Sequence, residues 1–186
     1  MHDNEPMPIE FTASYLQDTL AVLRQYKTMA EQAMDQVTDE QLHAALDPEM
    51  NSIAVIIQHM AGNMRSRWTD FLTTDGEKPD RNRDAEFEAS PATRAELLAL
   101  WDQGWRICFS AIESLTDSDL AREVFIRGER HSVLQAINRQ LAHYAAHIGQ
   151  IVFLAKHLSH ANWQSLSIPR GQSAAFNRRA ASGQPA

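Results

Sequence analysis

Apolar residues recur along most of this chain at the three- and four-residue spacing of amphipathic helices. From Ile9 to about Val37, Phe11, Tyr15, Leu16, Leu20, Leu23, Tyr26, Met29 and Ala33 keep that spacing and predict a first helix. A turn-rich connector, TDEQLHAALDPEM, follows. Asn51 or Ser52 can then cap a second helix that runs to about Leu72. On it Ile53, Ile56, Ile57, Met60, Met64, Trp68 and Phe71 form one stripe. Ser90-Pro91, an N-cap residue followed by proline, predicts the start of a third helix. That helix reaches about Leu115, with Leu97, Trp101, Gly104, Trp105, Cys108 and Ile112 on its inner face. Ser132 and Gln135 make a capping-box pattern that opens a fourth helix over residues 132–156. Its stripe is Leu134, Ile137, Leu141, Tyr144, Ile148, Ile151, Val152 and Ala155. The pattern predicts an all-α protein, a four-helix bundle.

The connectors add topology. Residues 73–90, TTDGEKPDRNRDAEFEAS, are charged and have no helical period. A connection of that length suits a crossover that carries the chain back along the bundle, leaving helices two and three parallel. A short repeat supports two helix pairs: Val37-Thr38-Asp39 with Leu42 follows the first helix, and Leu115-Thr116-Asp117 with Leu120 follows the third. Gly128 in IRGER marks a tight turn or small hairpin before the fourth helix. The whole chain, 1–186, reads as one domain with its core at about 9–158. Residues 1–8 read as a loose arm. Residues 159–186 read as an extended tail pinned by Trp163, Leu166, Ile168 and Phe176, with 178–186 disordered.

Composition narrows the function. Apolar residues make up 44% of 186 positions, enough for a real core. The net charge of -7 argues against a nucleic-acid partner. The single cysteine, Cys108, allows no intramolecular disulfide and no thiolate metal cluster, which fits a reducing cytoplasm. The N-terminal MHDNEPMPIEF lacks the basic and apolar regions of a signal peptide. No apolar run approaches the ~20 residues that span a bilayer, so no membrane partner is expected.

The chemistry concentrates on histidine. His143 and His147 stand four residues apart on the fourth helix, to one side of its apolar stripe with Ala136, Gln140, Leu154 and Leu158. Imidazoles at that spacing share a helix face and can grip one metal ion. The same pair also reads as two packed or surface histidines. His59 lies on a second, small and polar strip of helix two with Ser52, Val55, Asn63 and Ser66, which suits a pocket wall. Three neutral imidazoles on a divalent ion leave positions open, as in catalytic rather than structural sites. Zinc, nickel or iron would suit them. Asn63, Gln140 and Gln150 are candidate partners for the outer ring nitrogens. A di-iron carboxylate bundle is excluded: only Glu40 and His43 have its Glu-x-x-His spacing, in a connector, and helix four has no acid. Arg65, Arg67 and Asp70 read as a solvated face. Arg127, Glu129 and Arg130 read as loop charges or guards of a pocket mouth, and Cys108 as a buried structural thiol.

Several of these stretches together resemble the DinB-like, or YfiT-like, superfamily of metalloenzymes. They are IIQHMAGN in helix two, HYAAHIGQI in helix four, and the long crossover between helices two and three. NSIAVIIQHMAGNMRSRWTDFL, RDAEF and SLSIPRGQS are similar to an uncharacterised subgroup of it. The resemblance implies an up-down-down-up bundle, commonly a homodimer. It implies a divalent metal held by His59, His143 and His147. Relatives of that kind include bacillithiol transferases and mycothiol-dependent maleylpyruvate isomerase. A low-molecular-weight thiol cofactor and a small electrophilic substrate are therefore expected, in a thiol S-transferase or hydrolase type of reaction. The alternatives are a non-catalytic metal- or small-molecule-binding dimeric bundle, and a structural dimer with the histidines packed in its core.

Overall fold

The structure is a computed structural model and describes residues 14–182. The expected arm, the first residues of the predicted first helix and the last four of the tail lie outside the described residues.

Helix α1 spans Tyr15–Met34 and is capped by the Ser14 hydroxyl, which accepts from the backbone N–H of Gln17. Thr38 and Gln41 close a capping box on a short α2, Asp39–His43, inside what the sequence predicts as a connector. Helix α3, Ile53–Trp68, starts at Ser52, whose hydroxyl accepts from the Val55 N–H. Helix α4 is Arg94–Glu113 and α5 is Val133–Ser159. The long helices α1, α3, α4 and α5 form the bundle and run up-down-down-up. α3 packs along α4, α1 along α5, and α3 also meets α5.

α3 is the central element: 13 of its 16 residues are buried. Its predicted stripe lies wholly inside, with Ile53, Ile56, Ile57, Met60, Met64 and Trp68 all nearly inaccessible. Leu97, Trp101, Trp105, Cys108 and Ile112 of α4 face it. Helices α3 and α4 come very close at Gly104. A Cβ there would lie 3.1 Å from the Ala61 Cα and 3.2 Å from the Met64 sulfur.

Two helix boundaries differ from expectation. α4 starts after Thr93, not Ser90. The Thr93 hydroxyl and the Glu96 carboxylate satisfy each other's backbone N–H groups, while Pro91 lies in the lead-in. α3 ends at Trp68, not Leu72. Thr69 is extended and Asp70 takes a positive φ of 48°, so the chain turns into the crossover. The crossover is itself ordered, with one 3-10 turn at Asp84–Phe87.

The strands β1, Glu123–Ile126, and β2, Glu129–Ser132, form the expected antiparallel hairpin. Both turn residues, Arg127 and Gly128, have positive φ, as a two-residue hairpin of matched twist requires. The sequence repeat is structural: Thr116 caps a 3-10 turn with Asp119 just as Thr38 caps α2 with Gln41. The tail departs from the extended reading. Trp163 and Leu166 pack on the core, and Gln36 exchanges hydrogen bonds with the Gln164 backbone. Residues Ser173–Ala181 then form helix α6, where disorder is expected from residue 178 onward. It has only nine residues, none of them buried, and its alanines and arginines favour helix by propensity, so too few large apolar positions mark it in the sequence. Among the described residues no helix is long and apolar enough to cross a membrane.

Candidate metal centre

Helix α3 places His59 one step off its apolar stripe, and α5 places His143 and His147 on the flank that faces it. The three rings converge. Their ligand nitrogens all lie within 4.8 Å of one another. The His143 Nε2 is 3.2 Å from the His59 Nε2 and 3.0 Å from the His147 Nε2. His59 is 4% exposed, and the other two are half-buried.

The outer nitrogens are held from behind. His59 Nδ1 lies 3.0 Å from Glu86 Oε2, and His147 Nδ1 lies 2.8 Å from Gln150 Oε1. A carboxylate and an amide oxygen can only accept, so both Nδ1 atoms carry the proton. In a neutral ring the Nε2 atom is then a bare lone pair. His143 can place at most one proton between two such lone pairs, so the cluster is short of protons. A cation satisfies all three nitrogens at once. Two imidazole nitrogens sharing one tetrahedral zinc-sized ion stand about 3.3 Å apart, close to the 3.2 and 3.0 Å separations about His143. The donor set therefore fits a divalent metal.

Electrostatics favour the neutral, ligating form. Burial, with His147 and His59 beside it, pushes the His143 imidazole down to about 3. Burial also lowers His147, against the hydrogen bond it donates to Gln150, which raises it. Burial raises the Glu86 carboxyl, but the Arg81 guanidinium and His59 outweigh it and hold Glu86 below the usual carboxylate range.

Glu86 comes from the 3-10 turn of the crossover. Arg81 grips it with two parallel bonds, Nε to Oε1 at 2.8 Å and a terminal nitrogen to Oε2 at 2.7 Å. This fork is nearly inaccessible, with Arg81 3% and Glu86 10% exposed at the side chain. Gly62, one turn along α3 from His59, makes room for it; a Cβ at that position would collide with the Glu86 carboxylate. Phe87 packs its ring 4.5 Å from that of His59.

The remaining polar strip of α3 anchors the crossover. The Ser66 hydroxyl donates to the Gly76 carbonyl and accepts from the Lys78 N–H. Arg67 is buried, contrary to the solvated face the sequence suggests, because the crossover lies over this flank. Its guanidinium donates to the Gly76 carbonyl and to Glu77. Asp75 accepts from the backbone N–H groups of Arg127 and Gly128 and so ties the hairpin turn to the crossover. Together these elements enclose a pocket of about 400 Å³ above the three histidines.

Of the three residues expected to support the ring nitrogens, only Gln150 does so. Asn63 instead accepts from the Tyr144 hydroxyl, which accepts from Trp68 Nε1. Gln140 lines the pocket with its Oε1 unpartnered. Glu86 and Arg81 are absent from the sequence reading as functional residues. The available signal is chemical: a buried ligand histidine needs an outer acceptor, and RDAEF supplies a carboxylate. Cys108 is buried and its thiol pKa is raised by that burial, so it is no nucleophile.

A family model described as a protein of unknown function, DUF1572, matches residues 10–172. The chain belongs to this family. The DUF1572 chain has the fold of YfiT from Bacillus subtilis, a protein described as a probable metal-dependent hydrolase with an unusual four-helix bundle topology. The two superpose with a TM-score of 0.62 at 19% identity, over 81% of this chain and 93% of YfiT. At that identity the likeness shows the fold. No curated protein sequence matches the chain.

Proposed function

We propose that this protein is a divalent-metal-dependent enzyme of hydrolase or thiol-transferase type, with His59, His143 and His147 as its metal ligands. The observation that supports it most is the convergence of three Nε2 lone pairs whose rings are braced through Nδ1 by Glu86 and Gln150. The likeness to YfiT, itself described as a probable metal-dependent hydrolase, agrees with this reading. A divalent zinc, nickel or iron ion supplies Lewis acidity and makes a water or a small thiol nucleophilic near neutral pH. The chain's own part is to hold that centre at the floor of a partly closed pocket. Glu86 and Gln150 fix the ring orientations and tautomers. Phe87 screens one side of His59, and the crossover, tied to the hairpin turn through Asp75, walls the pocket.

Three protein ligands leave room for a nucleophile and a substrate, which favours turnover over a purely structural role. The test is activity on a panel of activated esters, amides and electrophilic thiol acceptors, with and without added metal. Activity that is lost on chelation, restored by one metal and absent in His143→Ala is the expected result. A fully metal-loaded protein inactive across the panel would favour the non-catalytic binding bundle. From the single cysteine we also assign it a cytoplasmic setting, and on the family resemblance a homodimeric state; a monomer mass by light scattering would remove the latter.

A further inference from the structure

The pocket above the histidines is strongly cationic in a chain of net charge -7. Five arginines line it, Arg67, Arg81, Arg83, Arg127 and Arg139, and no carboxylate does. Only two carboxylates reach these guanidinium groups within the described residues. Glu77 accepts from Arg67, Arg81 and Arg127, and Glu86 accepts from Arg81. Arg83 packs over the Phe87 ring at 4.8 Å, and neither it nor Arg139 has a carboxylate partner among the described residues. Like charges crowded into a partly closed cavity repel one another, and a divalent ion on the histidines adds to the excess. Two buried polar atoms at this pocket also lack a protein partner: the Nε donor of Arg67 and the Oε1 acceptor of Gln140. These residues are 5% and 3% exposed, so bulk water does not serve them freely.

We propose that the pocket binds an anionic small molecule, with its carboxylate or phosphate group on Arg83, Arg127 and Arg139 at the mouth and its reacting end toward the three histidines. The volume of about 400 Å³ suits a small molecule rather than a chain segment. Arginine forks match the planar or tetrahedral oxygens of such groups. The same charges draw an anion into the cleft from solution. The orientation of the reacting end rests on the metal-dependent reading above; the capture of the anion does not.

The test is calorimetric titration of benzoate, phenyl phosphate and neutral benzamide into three proteins: wild type, His143→Ala, and the double variant Arg83→Gln/Arg139→Gln. The two arginines are exposed, so the double variant keeps its core. At least one anion should bind wild type about tenfold more tightly than benzamide does, keep that preference in His143→Ala, and lose it in the double variant. The tighter of the two anions identifies the group. Equal binding of benzamide, no effect of the arginine changes, or no binding of either anion would overturn the proposal. Metal content measured on the same samples separates the two readings. Arginine-dependent anion binding without stoichiometric metal sinks the enzyme reading alone. Bound metal without anion preference sinks this one alone.

Discussion

Glu86 is where the bundle and the crossover meet, so its replacement tests how the centre is built. Its carboxylate accepts from His59 Nδ1 at 3.0 Å and from Arg81 at 2.7 and 2.8 Å. Glu86→Gln keeps the shape and an acceptor oxygen but removes the charge. Hydrogen bonds to charged groups contribute roughly 1.5–3 kcal/mol and neutral ones roughly 0.5–1.5, so His59 loses about 1–1.5 kcal/mol of support. At about 1.4 kcal/mol per factor of ten, metal affinity should fall about tenfold. Glu86→Ala removes the acceptor altogether and should cost up to about 100-fold, the range for outer partners of ligating histidines. It also leaves Arg81 with Glu77 alone, at 3.3 Å. The stability loss should stay at or below about 3 kcal/mol, the lower end for breaking a buried pair. Competition with a chromophoric chelator reads the affinity, and urea denaturation reads the stability. If both variants hold metal within twofold of wild type while Gln150→Ala weakens it, Glu86 does not brace a ligand and the reasoning fails.

Gly62→Ala tests the same brace from α3. Alanine is the better helix former by about 1 kcal/mol, but its Cβ would displace the Glu86 carboxylate from its buried fork, so stability should fall by no more than about 2 kcal/mol while metal affinity drops. Unchanged affinity would contradict this. Gly104→Ala should instead cost about 1–3 kcal/mol in urea denaturation, because its Cβ meets the Ala61 backbone at 3.1 Å. Tyr144→Phe strips a hydroxyl that accepts from Trp68 and donates to Asn63, and should cost about 2–4 kcal/mol; a loss under 1 kcal/mol would refute the buried chain of bonds. Metal-free protein should lose stability as pH falls from about 7 toward about 5.5, above the carboxylate range, because the unfolded chain takes up protons that folded His143, with its pKa near 3, refuses. His143→Ala should flatten that slope, and a wild-type midpoint constant across the window would count against the buried neutral cluster.

The four bundle helices and the flank positions of His59, His143 and His147 are legible in the sequence because period and spacing are local properties. So are the caps at Ser52 and Ser132 and the turn at Gly128. The burial of Arg67 is not legible, since it depends on a crossover folding back over α3 from ten residues away. Nor is the pairing of Glu86 with His59, 27 residues apart across an aperiodic charged loop. The arginine-lined mouth is legible only at Arg127, which the sequence offers as a possible guard; its other members come from α3, the crossover and α5, and only the fold assembles them. α6 is not legible for a different cause: it has nine residues, none buried, and one large apolar side chain, Phe176, too little for a period to be read.

The most direct test is the metal itself. Wild-type protein and His143→Ala, each purified without a metal-binding tag and dialysed against zinc, nickel or ferrous iron, are analysed by elemental mass spectrometry, and the wild type is examined by anomalous diffraction at the edge of the retained element. The account predicts one ion per chain in wild type, an anomalous peak among the Nε2 atoms of His59, His143 and His147, and no stoichiometric metal in the variant. A wild-type chain that retains no metal under any of these conditions, or an ion bound elsewhere, would contradict it.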